Sequence, residues 1–363
     1  MSEKIWSKLI QLIGKAGLTL PVSDTLIEIL QTIITEEQAK FLQVFKKPSL
    51  TIDRIKQKTD LDGPVLENML KDLMHEGIIA NFLNENTGIM EYNLMPFMPG
   101  IFEHVLMRGG TSEKEKKLAR LFEKLFDELK DLIQNNYDIF IPQFKNASPG
   151  THIVPVEEQV EVQQQVVLPY EEITKILEKY DTFGLAICYC RHKQDLINNP
   201  CKLDAPKENC VIVGSYAKFL IEQEFIKPIS KEEALKTLKE AEEFGLVHTA
   251  FHQTDDPEYN ELGICSCCKC CCGTLELYHR GLAAMNTLTS YLAKVNEETC
   301  VGCGTCVEKC PMEAIELNNI AIVNEDRCIG CGICAHHCPE ESMTLNRTGL
   351  RKVFVPPPRL ISV

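Results

Sequence analysis

The feature that most constrains this chain is a duplication near its C-terminus. Cys300, Cys303, Cys306 and Cys310-Pro311 recur as Cys328, Cys331, Cys334 and Cys338-Pro339, every member shifted by 28 residues. Each run continues alike, with MEAIEL after Pro311 and EESMTL after Pro339. The intervening NNIAIVNEDR supplies a turn and a short strand. Two copies of one small unit are therefore expected, and eight thiols at such regular positions must converge on a common chemistry.

The spacing suits a cubane cluster. Thiolates separated by two residues on a tight loop can converge on different irons of one face, and glycines let the backbone approach. Gly302, Gly304, Gly330 and Gly332 fit that need. The fourth cysteine of each run falls on the following helical turn and points the other way, so it ligates the partner cluster. By this rule Cys300, Cys303, Cys306 and Cys338 hold one 4Fe-4S cluster, and Cys328, Cys331, Cys334 and Cys310 hold the other. A pair of structural zinc sites is the competing reading, but zinc modules usually combine two near ligands with two distant ones.

Residues 296–345 resemble a bacterial-type ferredoxin with two 4Fe-4S clusters, matching its motif at all eight cysteines and both prolines. The resemblance implies a ferredoxin-like dicluster fold and a low-potential, one-electron carrier whose clusters lie close enough to pass electrons. It covers only about a seventh of the 363 residues.

Ten further thiols remain of the 18 in the chain: Cys188, Cys190, Cys201, Cys210, Cys265, Cys267, Cys268, Cys270, Cys271 and Cys272. One cluster does not need ten. Neighbouring cysteines tend to point to different sides, so Cys267/Cys268 and Cys270/Cys271/Cys272 can serve two sites, with one site taking alternate members. One or two further iron-sulfur clusters, structural zinc and a catalytic dithiol are the competing uses. The adjoining ferredoxin motif ranks clusters first. The fragments ICYCRH, CKLDAPKENC and ICSCCKCCCG, together with the ferredoxin motif, resemble a group of multi-cluster iron-sulfur proteins of anaerobes, and this implies redox work without naming a substrate. Arg191 can offer charge-assisted hydrogen bonds to cluster sulfides or to an anionic substrate. His192, His248 and His252 lie near the ligand segments, and His336 and His337 lie inside the second ferredoxin run.

Residues 1 to about 35 carry helical stripes, Ile5/Leu9/Leu12/Ile13 and Leu26/Ile29/Leu30/Ile33. From Glu36 to Leu94 three helices precede a hairpin, a winged-helix-like order. In the third helix Pro64 suits the first turn, Val65, Leu66, Met69, Leu70 and Leu73 form the buried face, and Gly77 supplies the stop. Residues 111–136 form a long amphipathic helix. The stretch from Pro142 to Pro169, with its alternating VEEQVEVQQQVVLP, holds a boundary. Ser230 with Glu233 makes a capping box for KEEALKTLKEAEEF, which Gly245 ends. The expected organisation is α+β and multi-domain. A helical, winged-helix-like domain spans 1–110, and an amphipathic helix and linker spans 111–150. A cysteine-rich α/β domain spans 151–290, ferredoxin-type segments span 291–320 and 321–348, and a tail spans 349–363.

Charge limits the partners. The net charge of −14 has the wrong sign for general attraction to phosphate or anionic lipid. The third helix offers Glu67, Asp72 and Glu76 against Lys71, so no nucleic-acid partner is expected. Clustered thiols that stay reduced suit a cytoplasmic location, and neither a signal peptide nor a membrane-inserted segment is apparent. Neither a dinucleotide fingerprint nor a phosphate-binding Walker motif is present, so the expected partner is a redox protein with a basic docking face. The function expected is iron-sulfur electron transfer, alone or as a redox-complex subunit. The alternatives are a redox-sensing regulator working through the winged-helix-like domain, and a reductase with an open central cluster.

Overall fold

Local signals start the helices where the sequence places them. Ser23 Oγ accepts from Leu26 N at 3.2 Å to open Asp24–Ile33. Thr35 and Gln38 cap Glu36–Phe41 reciprocally. Asp62 accepts from Val65 N at 2.9 Å ahead of Gly63–His75, which carries Pro64 in its first turn. Such caps contribute about 1 kcal/mol each. The computed structural model describes residues 2–84, 87–161, 168–252 and 261–360. The alternating run at 162–167 lies outside the described residues.

The chain forms two compact units. The first comprises Met1–Asp127, His192–Asn199 and Lys218–Lys227. Here strand β1 (Ser49–Thr51) pairs with β3 (Ile89–Leu94), which also pairs with β2 (Ile79–Asn84), all antiparallel. Helix Gly63–His75 buries Leu66, Leu70 and Leu73. Val65 is exposed and Met69 half-buried, contrary to the expected five-residue face. Positions 66, 70 and 73 share one stripe, whereas 65 and 69 lie a helical step to its side. Gly77 ends the segment at φ +72°, and a Cβ there would stand 2.4 Å from His104 Cβ. The core continues through Trp6, Leu9, Leu30 and Phe102, with Phe122 ring-to-ring against Phe102 at 4.7 Å.

The second unit comprises Glu128–Arg191, Pro200–Ala217 and Pro228–Val363. Its frame is an eight-stranded sheet of β4 (Thr151–Val154), β5 (Phe183–Ile187), β6 (Glu208–Val213), β7 (Lys227–Ile229), β8 (Val247–His252), β9 (Glu261–Cys267), β10 (Met285–Val295) and β13 (Met343–Val355). The order across it is β13-β10-β4-β8-β9-β6-β5-β7. A separate hairpin joins β11 (Ile315–Asn318) to β12 (Ile320–Val323). Both cysteine runs lie between β10 and β13, and these strands close at Val295↔Met343 and at Asn296 N→Ser342 O, 2.8 Å. The last strand extends past residue 348 as far as Val355. Among the described residues no helix is long and apolar enough to cross a membrane.

Two buried neighbours in the first unit titrate in opposite senses. Burial lowers His104 to about 4, its Nδ1 paired with Gly77 O, and burial raises Glu103 to about 7. Between pH 7 and 5 the unfolded chain takes up a proton at His104 that the fold refuses, so this group costs about 2 kcal/mol of stability on acidification. Glu103 does the reverse, because the fold holds its proton more tightly and regains about 2 kcal/mol over the same window. Chemical denaturation followed by the fluorescence of Trp6, the only tryptophan, should therefore show little net pH slope from this pair. Glu103→Gln should steepen the loss of stability on acidification, and His104→Gln should reverse it.

Candidate metal centres

The eight C-terminal thiols line two cavities, each drawing on both copies of the duplication. One, of about 340 Å³, is lined by Cys300, Cys303, Cys306 and Cys338. The other, of about 330 Å³, is lined by Cys310, Cys328, Cys331 and Cys334. The first reaches the surface, where Cys303 is exposed, and hydrogen bonds from Thr305 lower the Cys303 thiol. The four thiols of the second are all buried, and burial raises Cys310, Cys331 and Cys334. Ala314 N donates to Cys310 Sγ at 3.3 Å.

The loop glycines have a reason that spacing alone did not supply. At Gly302 (φ +67°) a Cβ would lie 2.1 Å from Asn319 O, and at Gly330 (φ +65°) it would lie 2.2 Å from Tyr291 O. The second contact presses its loop against β10. Arg351 of β13 donates to Cys328 O at 2.6 Å and to Tyr291 O at 3.4 Å. The sequence carried no sign of this role, since Arg351 lies beyond the motif and reaches it only through strand pairing.

The ten central thiols fall into two sets. Cys201, Cys268, Cys270 and Cys271 place all their sulfurs within 4.8 Å of one another. Cys201 lies 3.9 Å from Cys268 and 3.7 Å from Cys270, Cys270 lies 3.6 Å from Cys268, and Cys271 lies 3.7 Å from Cys270. Hydrogen bonds from Cys268, Cys270 and Cys271 hold the Cys201 thiol far below its ordinary range.

The other six are Cys188, Cys190, Cys210, Cys265, Cys267 and Cys272. Thiol hydrogen bonds join Cys188 to Cys190 and Cys210, Cys210 to Cys265, and Cys267 to Cys272. Charge coupling ties Cys190 to both Cys267 and Cys272. Gly273 N donates to Cys190 Sγ at 3.2 Å and Thr274 N to Cys272 Sγ at 3.3 Å.

Alternation separates Cys267 from Cys268 and Cys271 from Cys272, but Cys270 and Cys271 stay together. The period of two belongs to the extended backbone of β9, which ends at Cys267, and the following turn at 269–271 does not keep it.

Arg191 is buried beside both sets. It donates to Pro206 O at 3.1 Å and Ser266 O at 2.9 Å, and among the described residues its Nε has no hydrogen-bond partner. Burial opposes its charge, yet Cys188, Cys268, Cys210 and Cys201 together raise its pKa. The five histidines have partners other than thiols. His192 pairs with Gly110 O and His248 Nδ1 with Ser266 Oγ at 3.4 Å, while His248 Nε2 lies 3.3 Å from Glu242 Oε1. His252 pairs with His152, His336 with Glu243, and His337 with Glu242 O.

Comparison with family models places a match on the C-terminal pair. Residues 293–345 match the family described as 4Fe-4S dicluster domain. A stretch of 34 residues is 56% identical to Protein Pixie of Drosophila melanogaster, covering 9% of this chain and 6% of that protein. Another of 32 residues is 56% identical to ABC transporter E family member 1 of Arabidopsis thaliana, covering 9% and 5%. A stretch of 31 residues is 55% identical to Probable ferredoxin of Methanosarcina thermophila, covering 8% of this chain and 53% of the relative. No solved structure matches the chain. The segment held between β10 and β13 is therefore a 4Fe-4S dicluster domain.

Proposed function

We propose that this chain is an iron-sulfur electron-transfer protein or redox-complex subunit, working in a reducing compartment such as the cytoplasm. The observation that carries this reading is the pair of four-thiol cavities, each built from both copies of the duplication. Cys300, Cys303, Cys306 and Cys338 would hold one 4Fe-4S cluster, and Cys310, Cys328, Cys331 and Cys334 the other. The clusters supply one-electron transfer. The chain's own contribution is access. The buried cavity shares one apolar core with Cys267 and Cys272, and the other cavity opens to solvent at Cys303. Electrons would pass between the six-thiol centre and the surface through the dicluster domain.

The surface around the exposed cavity favours a basic partner. Residues 291–348 carry 9 Asp and Glu against 4 Lys and Arg. Glu298, Glu308, Glu340 and Glu341 are exposed. The winged-helix-like order of the first unit is read as a protein-binding module, because Gly63–His75 presents Glu67 and Asp72 outward with Lys71.

Three measurements test this reading. Protein purified without oxygen should contain more than eight irons with equal acid-labile sulfide, since the six-thiol set can hold iron beyond the two clusters. A stable preparation limited to eight would confine iron to the dicluster domain. Cys338→Ala should abolish the paramagnetic signal of the cluster in the Cys300 cavity and spare the other, and Cys310→Ala should do the converse. Loss of the cluster of its own run in each case would refute the crossed ligand sets. Stopped-flow electron transfer to the physiological partner should slow as salt rises, because acidic-to-basic steering is screened beyond about 8 Å at physiological ionic strength. A salt-independent rate would exclude the basic docking face.

A further inference from the structure

A single ion and a cubane make different demands on four thiolates, and the two kinds of space are both present in this protein. Sulfurs bound to one tetrahedral ion at about 2.3 Å stand about 3.8 Å apart. In a cubane each thiolate binds a different iron, so the metal-metal separations push the sulfurs further apart and a void must stand between them. The dicluster domain shows that second arrangement: four thiols line each of its two cavities, and among the described residues only the Cys201 set brings three or more such ligand atoms within 4.8 Å of one another. Cys201, Cys268, Cys270 and Cys271 show the first. Their sulfur contacts of 3.6, 3.7, 3.7 and 3.9 Å match four of the six edges of a tetrahedron around one ion, the other two lie within 4.8 Å, and no cubane fits among sulfurs so close together.

We propose that Cys201, Cys268, Cys270 and Cys271 form a closed tetrathiolate site for one zinc ion, separate from every iron-sulfur centre of the chain. Three observations beyond the sulfur distances carry the assignment. First, all four positions are filled by protein sulfur, the closed donor set of a structural zinc site, which leaves no place for substrate. Second, the set packs in its own apolar cluster with Ala205, Ala241, Phe244 and Leu246, whereas Cys267, Cys272 and the dicluster thiols belong to a different one. A redox-silent ion needs no contact with the electron path. Third, four thiolates around a dication leave a net charge of −2, and the buried Arg191, which Cys268 and Cys201 hold in its charged form, supplies a compensating cation whose Nε has no hydrogen-bond partner among the described residues. The ion would tie the loop carrying Cys201 to the turn after β9, 67 residues away along the chain. It would thereby fix the orientation of Cys267 and Cys272, which flank that turn and face the six-thiol centre.

The site is tested by counting zinc separately from iron, so its failure is distinct from failure of the electron-transfer reading. Anaerobically purified full-length protein should hold one zinc per chain in addition to its iron. The zinc absorption edge should report four sulfur neighbours at about 2.3 Å. The double variant Cys268→Ser, Cys270→Ser should lose that zinc and keep the iron and sulfide of the dicluster domain. A zinc shell containing nitrogen or oxygen would mark an adventitious ion and overturn the assignment. Loss of iron and sulfide in place of zinc would make the site a cluster and overturn it equally. If the double variant does not fold, the stoichiometry and absorption edge of the unaltered protein still decide the question.

Discussion

The pairing of β10 with β13 is the constraint on which the redox half of this molecule rests. Ten register pairs run from Met285↔Val355 to Val295↔Met343, with one irregularity between Thr289 and Tyr291. Both cysteine runs are therefore an excursion whose two ends are held together by a ladder. Fixing the ends lowers the entropy of arranging eight thiols in two cavities. The ladder also brings Arg351 onto the Cys328 carbonyl and sets the Tyr291 carbonyl against Gly330, so the second cavity is braced directly by the strands that bracket it. The dicluster domain is thus part of a larger sheet.

That sheet also organises the central thiols. Cys210 lies on β6, Cys265 and Cys267 lie on β9, and these two strands are hydrogen-bonded neighbours. Cys188 and Cys190 stand where β5, the other neighbour of β6, gives way to a helix. Three adjacent strands deliver five thiols to one end of the sheet, and the turn after β9 adds Cys272. The same turn sends Cys268, Cys270 and Cys271 the other way, toward Cys201. One short, cysteine-dense segment contributes to two thiol sets because its backbone changes from extended to turn within a few residues.

The buried Arg191 links the electrostatics of the two sets. Burying a guanidinium is costly unless its charge is met, and here the thiols of both sets meet it. The two thiol sets therefore share one buried cation although their members are separate.

Much of this was legible in the residues. The duplicated cysteine spacing pointed to a 4Fe-4S dicluster domain, which the family match at residues 293–345 bears out, since ligand geometry on a short loop is a local property. The same holds for the helix at Lys231–Glu243, whose start is written in Ser230 and Glu233, and for the apolar stripes that became buried cores. The buried face of Gly63–His75 was drawn too wide, because a stripe in sequence does not say which flank its neighbours cover. The partition of the ten central thiols, the bracing role of Arg351 and the closeness of Gly330 to β10 were not legible. Each depends on strand order and register, which bring together residues 23 to 83 positions apart, and on a turn whose direction the local sequence does not specify. Local spacing determined what could bind metal, and the order of strands in the sheet decided which thiols meet.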